Sequence, residues 1–245
     1  MAADALKAHG IFRSNMVLQR GKPITVWGWA PAGSEVKVMF GKRSAIAKAA
    51  EEKGRWQVTF DSQPANSKGQ DLVVKAGKEV IRLENILIGD LWVMNGQSNM
   101  AFALKAVYQN TFESAQAHLP LMRQVRINSY AESEHVETDL EEKDLNGNDP
   151  DKNWKVVTPE VAMEMGAIGY VFGSRLQRAL QIPIGIIDNS RGGASLESLV
   201  PRHKFKEHPM AAEYLAWVDK RYVDFDWEEA LKKPDEKWKK TVSNQ

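Results

Sequence analysis

Two short glycine-containing blocks carry the residues best suited to chemistry. The first is Gly96-Gln97-Ser98-Asn99, directly behind an apolar run. A serine lifted out of a sheet by a glycine turn can act as a nucleophile, and N–H groups just beyond the turn can face a developing oxyanion. The second is Asn189-Ser190-Arg191-Gly192-Gly193-Ala194-Ser195, again behind an apolar run. Paired glycines let a backbone N–H come close to a ligand, as an oxyanion hole requires. Spacing alone admits a plainer reading of each: Ser98 or Asn99 caps a helix after a glycine turn, and the glycine pair is an ordinary strand-to-helix turn.

Composition narrows the chemistry. The 245 residues include no Cys, which removes disulfides, thiol nucleophiles and thiolate zinc sites, and no metal or cofactor is implied. Lys+Arg of 33 against Asp+Glu of 32 leaves a formal charge of +1, so no global field draws the chain to nucleic acid or anionic lipid. No apolar run approaches the roughly 18 residues that a membrane span needs. Neither nucleic acid nor membrane is therefore expected as a partner, and a neutral or polar substrate is the easier one to accommodate. The opening Met1-Ala-Ala-Asp-Ala-Leu-Lys7 has no apolar signal region. The protein is then either cytoplasmic or an exported one whose signal peptide is absent from this sequence.

The elements that must hold these blocks fall into two parts. Over residues 11–88 short runs alternate between turn residues, which reads as all-β. Trp56, Val58 and Phe60 share one face of a strand and Gln57, Thr59 and Asp61 the other, while 66–69 punctuate before Leu72-Val-Val74. About six to seven strands in a small β-sandwich are expected. From Ile86 to Met94 the chain is almost continuously apolar, the pattern of a strand buried on both faces of a parallel sheet. Two similar runs follow, Val125-Arg-Ile-Asn128 and Ile182-Pro-Ile-Gly-Ile-Ile187, with a helix expected over 167–180 as their crossover. Residues 132–153 are acidic and read as an exposed loop; 207–240 read as one or two amphipathic surface helices broken near Pro234. The domains expected are 10–87, the β-sandwich, and 88–245, α/β.

Taken together the blocks resemble the sialate O-acetylesterases of carbohydrate esterase family 6, in the SGNH hydrolase superfamily. Phe12-Arg-Ser-Asn-Met-Val-Leu-Gln-Arg20 and Val26-Trp-Gly-Trp-Ala-Pro-Ala-Gly33 are similar to the opening of that family's β-domain. Gly89-Asp-Leu-Trp-Val-Met-Asn-Gly-Gln-Ser-Asn-Met100 is similar to its nucleophile block, and Tyr170-Val-Phe172 with 183–199 extends the likeness. The resemblance implies an SGNH-type (flavodoxin-like) three-layer α/β/α domain behind the sandwich. It implies Ser98 as nucleophile, with its own N–H and that of Gly193, or else Gly192, in the oxyanion hole. Gln97, Asn99 and Arg191 are the residues it places nearest the substrate, an acetylated carbohydrate. Exported relatives make a periplasmic or secreted location the expectation, with the cytoplasm left open.

The departures are as informative. The family's later blocks, one resembling Gln-Gly-Glu-Ser-Asn and one Asp-x-x-His or Asp-x-His, do not occur here. None of the five histidines follows an Asp at either spacing; Glu132-Ser-Glu-His135 is the nearest imitation, and His203 and His208 follow the glycine block. Only three buried-strand runs are found, fewer than the sheet the resemblance implies. The α/β domain is therefore expected to be incomplete at its carboxyl end, with the catalytic His and Asp supplied by a missing C-terminal segment or a complementary chain. The other readings are a carbohydrate-binding module and a fragment without activity. Eight Trp motivate the binding module, although Trp27, Trp29, Trp56 and Trp92 lie in strand-like runs and only Trp217, Trp227 and Trp238 are obvious candidates for exposure.

Overall fold

Alternation sets the first strands. In β3 (Ile24–Trp29) Ile24, Val26 and Gly28 are buried, and in β6 (Arg55–Phe60) Trp56, Val58 and Phe60 are, while the residues between them face outward. The two pair antiparallel from Ile24↔Phe60 to Trp29↔Arg55, and β1 (Lys7–Ala8) extends the sheet along the other edge of β3. The computed structural model describes residues 5–128, 140, 142–195, 199–200, 202–205, 207–218 and 220.

A second sheet is built on β4 (Glu35–Phe40), β5 (Arg43–Lys48), β7 (Asn66–Ala76) and the long β8 (Glu79–Gly96), with β2 (Val17–Gln19) parallel to β8 at Leu87–Gly89. Residues 66–69, expected as punctuation, belong to β7, whose register against β8 shifts twice between Asn66 and Leu72. The buried sides of both sheets meet in one core. Val26, Trp56, Val58 and Phe60 come from the first, and Val36, Val38, Phe40, Leu72 and Val74 from the second. The Phe40 and Phe60 rings lie 6.2 Å apart.

The same sheet continues as an α/β structure. β8 is followed by α1 (Ser98–Ala101), α2 (Asn110–Ala115) and β9 (Leu119–Arg126), and then β10 (Lys155–Val157), α3 (Pro159–Glu164), α4 (Ala167–Leu180) and β11 (Ile184–Ser190). The strand order is β10-β9-β11-β8-β7-β4-β5. β11 is parallel to both β8 and β9, and the boundary expected between 87 and 88 lies inside β8. The helix expected over 167–180 is α4. Its buried Tyr170 shares a second core with Met94, Met122, Ile184 and Ile186, which fixes the layer over β8, β9 and β11.

Several expectations need correction. The run from Ile86 to Met94 is buried from Ile86 through Gly89 and again at Met94, but Trp92 is 41% and Val93 58% exposed. Beyond Gly89 the strand pairs with β11 along one edge alone. Gly89 O accepts from Arg20 N–H and Leu91 N–H donates to the Gln19 side chain on the β2 edge. The backbone groups of Val93 and Asn95, two and four residues on, face that same edge, where no strand among the described residues continues. The segment expected as an exposed loop, 132–153, is described at 140 and from 142 on; residues 148–151 are exposed turn and coil as expected, and the departure lies at Leu145. Leu145 is fully buried, Asn128 N–H donates to Asp144 O and Asn146 N–H to Arg126 O, so it packs along the sheet. A fourth strand, β10, joins β9 antiparallel, too short to announce itself by periodicity. Residues 132–139 lie outside the described residues.

The described residues up to 199 form one compact unit and those from 200 on a second. The second contains α5 (Arg202–Phe205) and α6 (Pro209–Val218). Met210, Tyr214 and Trp217 lie on one face of α6, and all three are exposed, with the Tyr214 and Trp217 rings stacked at 5.9 Å. Trp227, Trp238 and Pro234 lie outside the described residues.

Candidate active site

Parallel pairing brings the two glycine blocks side by side. β11 and β8 run in register from Ile184↔Asp90 to Ser190↔Gly96, so both strands reach their carboxyl ends together. At the last rungs Asn189 Nδ2 donates to Asn95 Oδ1 at 3.3 Å, and Arg191 N–H donates to Gly96 O at 2.9 Å. The carboxyl ends of parallel strands, where turns replace the ladder, are where such sheets offer backbone groups to ligands.

The first turn is forced by Gly96, whose φ of +156° is accessible to glycine and strained for other residues. Gln97 then takes the helix-capping position, and its carbonyl accepts from Met100 N–H at 3.0 Å and Ala101 N–H at 3.1 Å. Ser98 is the first residue inside α1 and is exposed, as is Asn99. The capping alternative therefore does not describe Ser98: the cap is Gln97, and no side chain bonds the helix end. No described group hydrogen-bonds the Ser98 hydroxyl.

The second turn runs from Arg191 to Ala194, whose N–H donates to Arg191 O at 3.2 Å, with Gly193 at φ +77°. Space beside both Gly192 and Gly193 is open: a Cβ on either would meet nothing within 4 Å. Gln97, Ser98 and Asn99 thus occupy one strand end, and Arg191, Gly192 and Gly193 the adjacent one. An exposed hydroxyl and unhindered glycine backbone stand at the ends of neighbouring strands, the materials for attack on a carbonyl and for stabilising its oxygen.

Beneath the turns lies a residue the motif reading passed over. Asp188 is only 4% exposed, and its Oδ1 accepts from Ser190 N–H at 3.0 Å and from the Ser190 hydroxyl. Its Oδ2 lies 4.0 Å from Arg126 Nε. Asp188 also lines a small cavity with Met94, Met100, Gln124 and Ile186, and Gln124 Oε1 is buried there without a hydrogen-bond partner. The available signal was a lone acid in the apolar strand Ile184-Gly-Ile-Ile-Asp188.

The histidines are placed elsewhere. His9 sits in an aromatic cluster, 4.9 Å from the Trp27 ring and 6.0 Å from Trp29. His118 immediately precedes β9, at the amino end of a strand parallel to β11 and so at the opposite end of the sheet from Ser98. His203 and His208 belong to the second unit, and Glu132 and His135 lie outside the described residues. Among the described residues no group of three or more His, Asp and Glu is arranged to hold a metal ion.

No protein-family model matches the chain. Curated relatives do. The sialate O-acetylesterase of Pongo abelii is 28% identical over 199 residues, and the human one 27%, each covering 76% of this chain and 37% of the relative. The Mus musculus sialate O-acetylesterase is 28% identical over 205 residues. Among solved structures, a carbohydrate acetylesterase from Xanthomonas citri superposes with a TM-score of 0.72 at 26% identity, covering 82% of this chain and 43% of that one. The resemblance to sialate O-acetylesterases read from the sequence is therefore borne out over most of the chain. The chain spans about 37% of the length of the curated relatives it matches.

Proposed function

We propose that these residues form the nucleophile-bearing part of a carbohydrate O-acetylesterase, built as a β-sandwich leading into an SGNH-type α/β/α layer. The observation that carries this is the adjacency of the Ser98 and Gly193 turns at the ends of β8 and β11, in a chain similar to acetylesterases. Ser98 Oγ attacks the acetyl carbonyl, giving up its proton to a base, and the carbonyl oxygen becomes an oxyanion held by the N–H groups of Ser98 and Gly193 or Gly192. Collapse expels the sugar oxygen, protonated by the same group acting as acid, and leaves acetyl-Ser98. Water then attacks, acetate departs and Ser98 recovers its proton. Gln97, Asn99 and Arg191 flank the sugar.

The acid and base come, in this reading, from polypeptide beyond these 245 residues. Two observations support that: His9 and His118 are remote from the strand ends, and among the described residues no strand pairs with the β8 edge beyond Gln19. An exported location, periplasmic or secreted, goes with it. An enzyme lacking a triad member but keeping its oxyanion hole retains about 10³–10⁴-fold catalysis over water, so slow reaction at Ser98 is expected. The test is exposure of the chain to p-nitrophenyl acetate and to a serine-directed phosphonate, with adducts located by peptide mass spectrometry. Slow labelling at Ser98, and loss of acetate release in Ser98→Ala, are the expected results. Unchanged hydrolysis by Ser98→Ala, or no Ser98 adduct after exhaustive treatment, would overturn the reading in favour of a carbohydrate-binding or structural role.

A further inference from the structure

We infer that Asp188 is a positioning residue that holds the Arg191–Gly193 turn in register with the Ser98 turn; its catalytic meaning rests on the function proposed above. Asp188 is the one charged residue of β11, and at 4% exposure its carboxylate is withdrawn from water. Such burial is costly unless the oxygens find donors. Oδ1 finds two on one residue, the N–H of Ser190 at 3.0 Å and the Ser190 hydroxyl. Ser190 is itself 4% exposed, so the pair is a buried clasp spanning the last two residues of the strand.

The clasp sits where the backbone leaves the ladder. The Asp188 carbonyl accepts from Ile127 N–H at 2.8 Å, which ties this point to the strand on one side. One residue past Ser190, Arg191 N–H donates to Gly96 O at 2.9 Å, which ties it to the glycine before Ser98 on the other. Ser190 lies between these ties, and the direction in which the Gly192-Gly193 backbone departs is set by how Ser190 is held. Asp188 also shares a cavity with Met100, two residues beyond Ser98 in α1. The Asp188 carboxylate thus holds the base of one turn and lines a cavity with a residue of the helix that follows the other. An error of about 1 Å in placing such groups is enough to lower a rate about 100-fold, so the clasp acts on the oxyanion site without touching substrate.

Asparagine keeps an Oδ1 acceptor for Ser190, and alanine does not. The experiment compares Asp188→Ala, Asp188→Asn and Ser190→Ala by the amide NMR shifts of residues 96–98 and 191–193 and by the steady-state kinetics of Ser98-dependent p-nitrophenyl acetate hydrolysis. In Asp188→Ala the expected result is displaced amide signals in both turns, unmoved signals in β3 and β6, and kcat lowered about 10- to 100-fold at unchanged KM. Asp188→Asn is expected to keep the wild-type signals and a rate within about threefold of wild type, because the acceptor remains. Unmoved amides at 191–193 in Asp188→Ala, or equal damage from Asn and Ala, would overturn the inference. Should Asp188→Ala not fold, Ser190→Ala decides: its 191–193 amides shift if the clasp positions the turn and stay if it does not. A wild-type chain without Ser98-dependent hydrolysis would sink the proposed function alone, since the amide shifts still report on the clasp.

Discussion

Trp56 and Trp92 both stand in apolar strand runs, yet Trp56 is 1% exposed and Trp92 41%. Trp56 lies on β6, whose inner side is covered by the facing sheet in a core shared with Phe40, Val38 and Leu72. Trp92 lies on β8 past Gly89, where β11 pairs along one edge only and Phe172 of α4 touches the ring at 4.9 Å. The same residue type in the same kind of run is thus interior in one region and surface in the other. What decides burial is whether the face that carries the residue is covered: β6 is itself an outer strand of its sheet with one face wet, yet its inner face lies against the other sheet, and that cover is a property of the tertiary packing and not of the run.

The comparison is broken most sharply by removing each ring. Trp56→Ala should destabilise the fold by about 3–5 kcal/mol, the range for truncating a large buried aromatic side chain. Trp92→Ala should cost about 1 kcal/mol or less, since part of its surface is already in water. Denaturant unfolding of the two variants beside wild type checks both. Equal losses would mean that Trp92 is as enclosed in solution as Trp56 and that the contrast is unreal.

The same physics separates what was legible in the sequence from what was not. The faces of β6 could be read because one side of that strand is wet, so hydrophobic and polar residues alternate at Trp56, Gln57, Val58 and Thr59. α4 could be read because a helix-like stretch over 167–180 stands between two buried strand runs, where a crossover belongs. The two glycine blocks were legible because the backbone turn is encoded where it happens. The exposure of Val93, the packing of Leu145 and the existence of β10 depend on which distant segments pair, and no local pattern carries that. Asp188 was missed because its partner is a serine two residues away and its importance comes from the turn that Ser190 anchors.

A middle-sized effect is expected at Arg123, on β9, where burial is complete but pairing is not. Its side chain donates to the carbonyls of Pro120 and Met122, its Nε has no partner, and no described carboxylate forms an ion pair with it. Burial pulls its pKa down to about 10. A base whose folded pKa lies below its unfolded one destabilises the fold at every pH below the folded value. That penalty is relieved as pH climbs from there into the ordinary arginine range. Arg123→Met should therefore raise stability by about 1 kcal/mol, replacing an unpaired buried charge with an apolar chain of similar length. The gain over wild type should be flat from about pH 6 to 9 and shrink above about 10, as unfolding curves across that range would record. A loss of stability instead would mean that the two carbonyl contacts outweigh the desolvation.

The smallest stability effect, and the sharpest test of the edge itself, is Val93→Lys. The outermost strand at the far end of the sheet, β5, shows solvent Arg43 and Lys48, and such charges discourage pairing with another molecule. The β8 edge from Leu91 to Gly96 has no charged residue, and beside it stand Trp92, Val93, Ile168, Val171 and Phe172, all exposed. The lone chain should therefore self-associate as its concentration rises, through β8 and not through β5. A lysine at 93 leaves the β11 ladder untouched, because Val93 offers its backbone to the opposite edge, and it should change unfolding free energy by no more than about 0.5 kcal/mol. Sedimentation velocity over a concentration series should show association in wild type and its suppression in Val93→Lys. Association that persists unchanged would place the sticky surface elsewhere, and β8 would then be an edge that solvent satisfies as well as it satisfies β5.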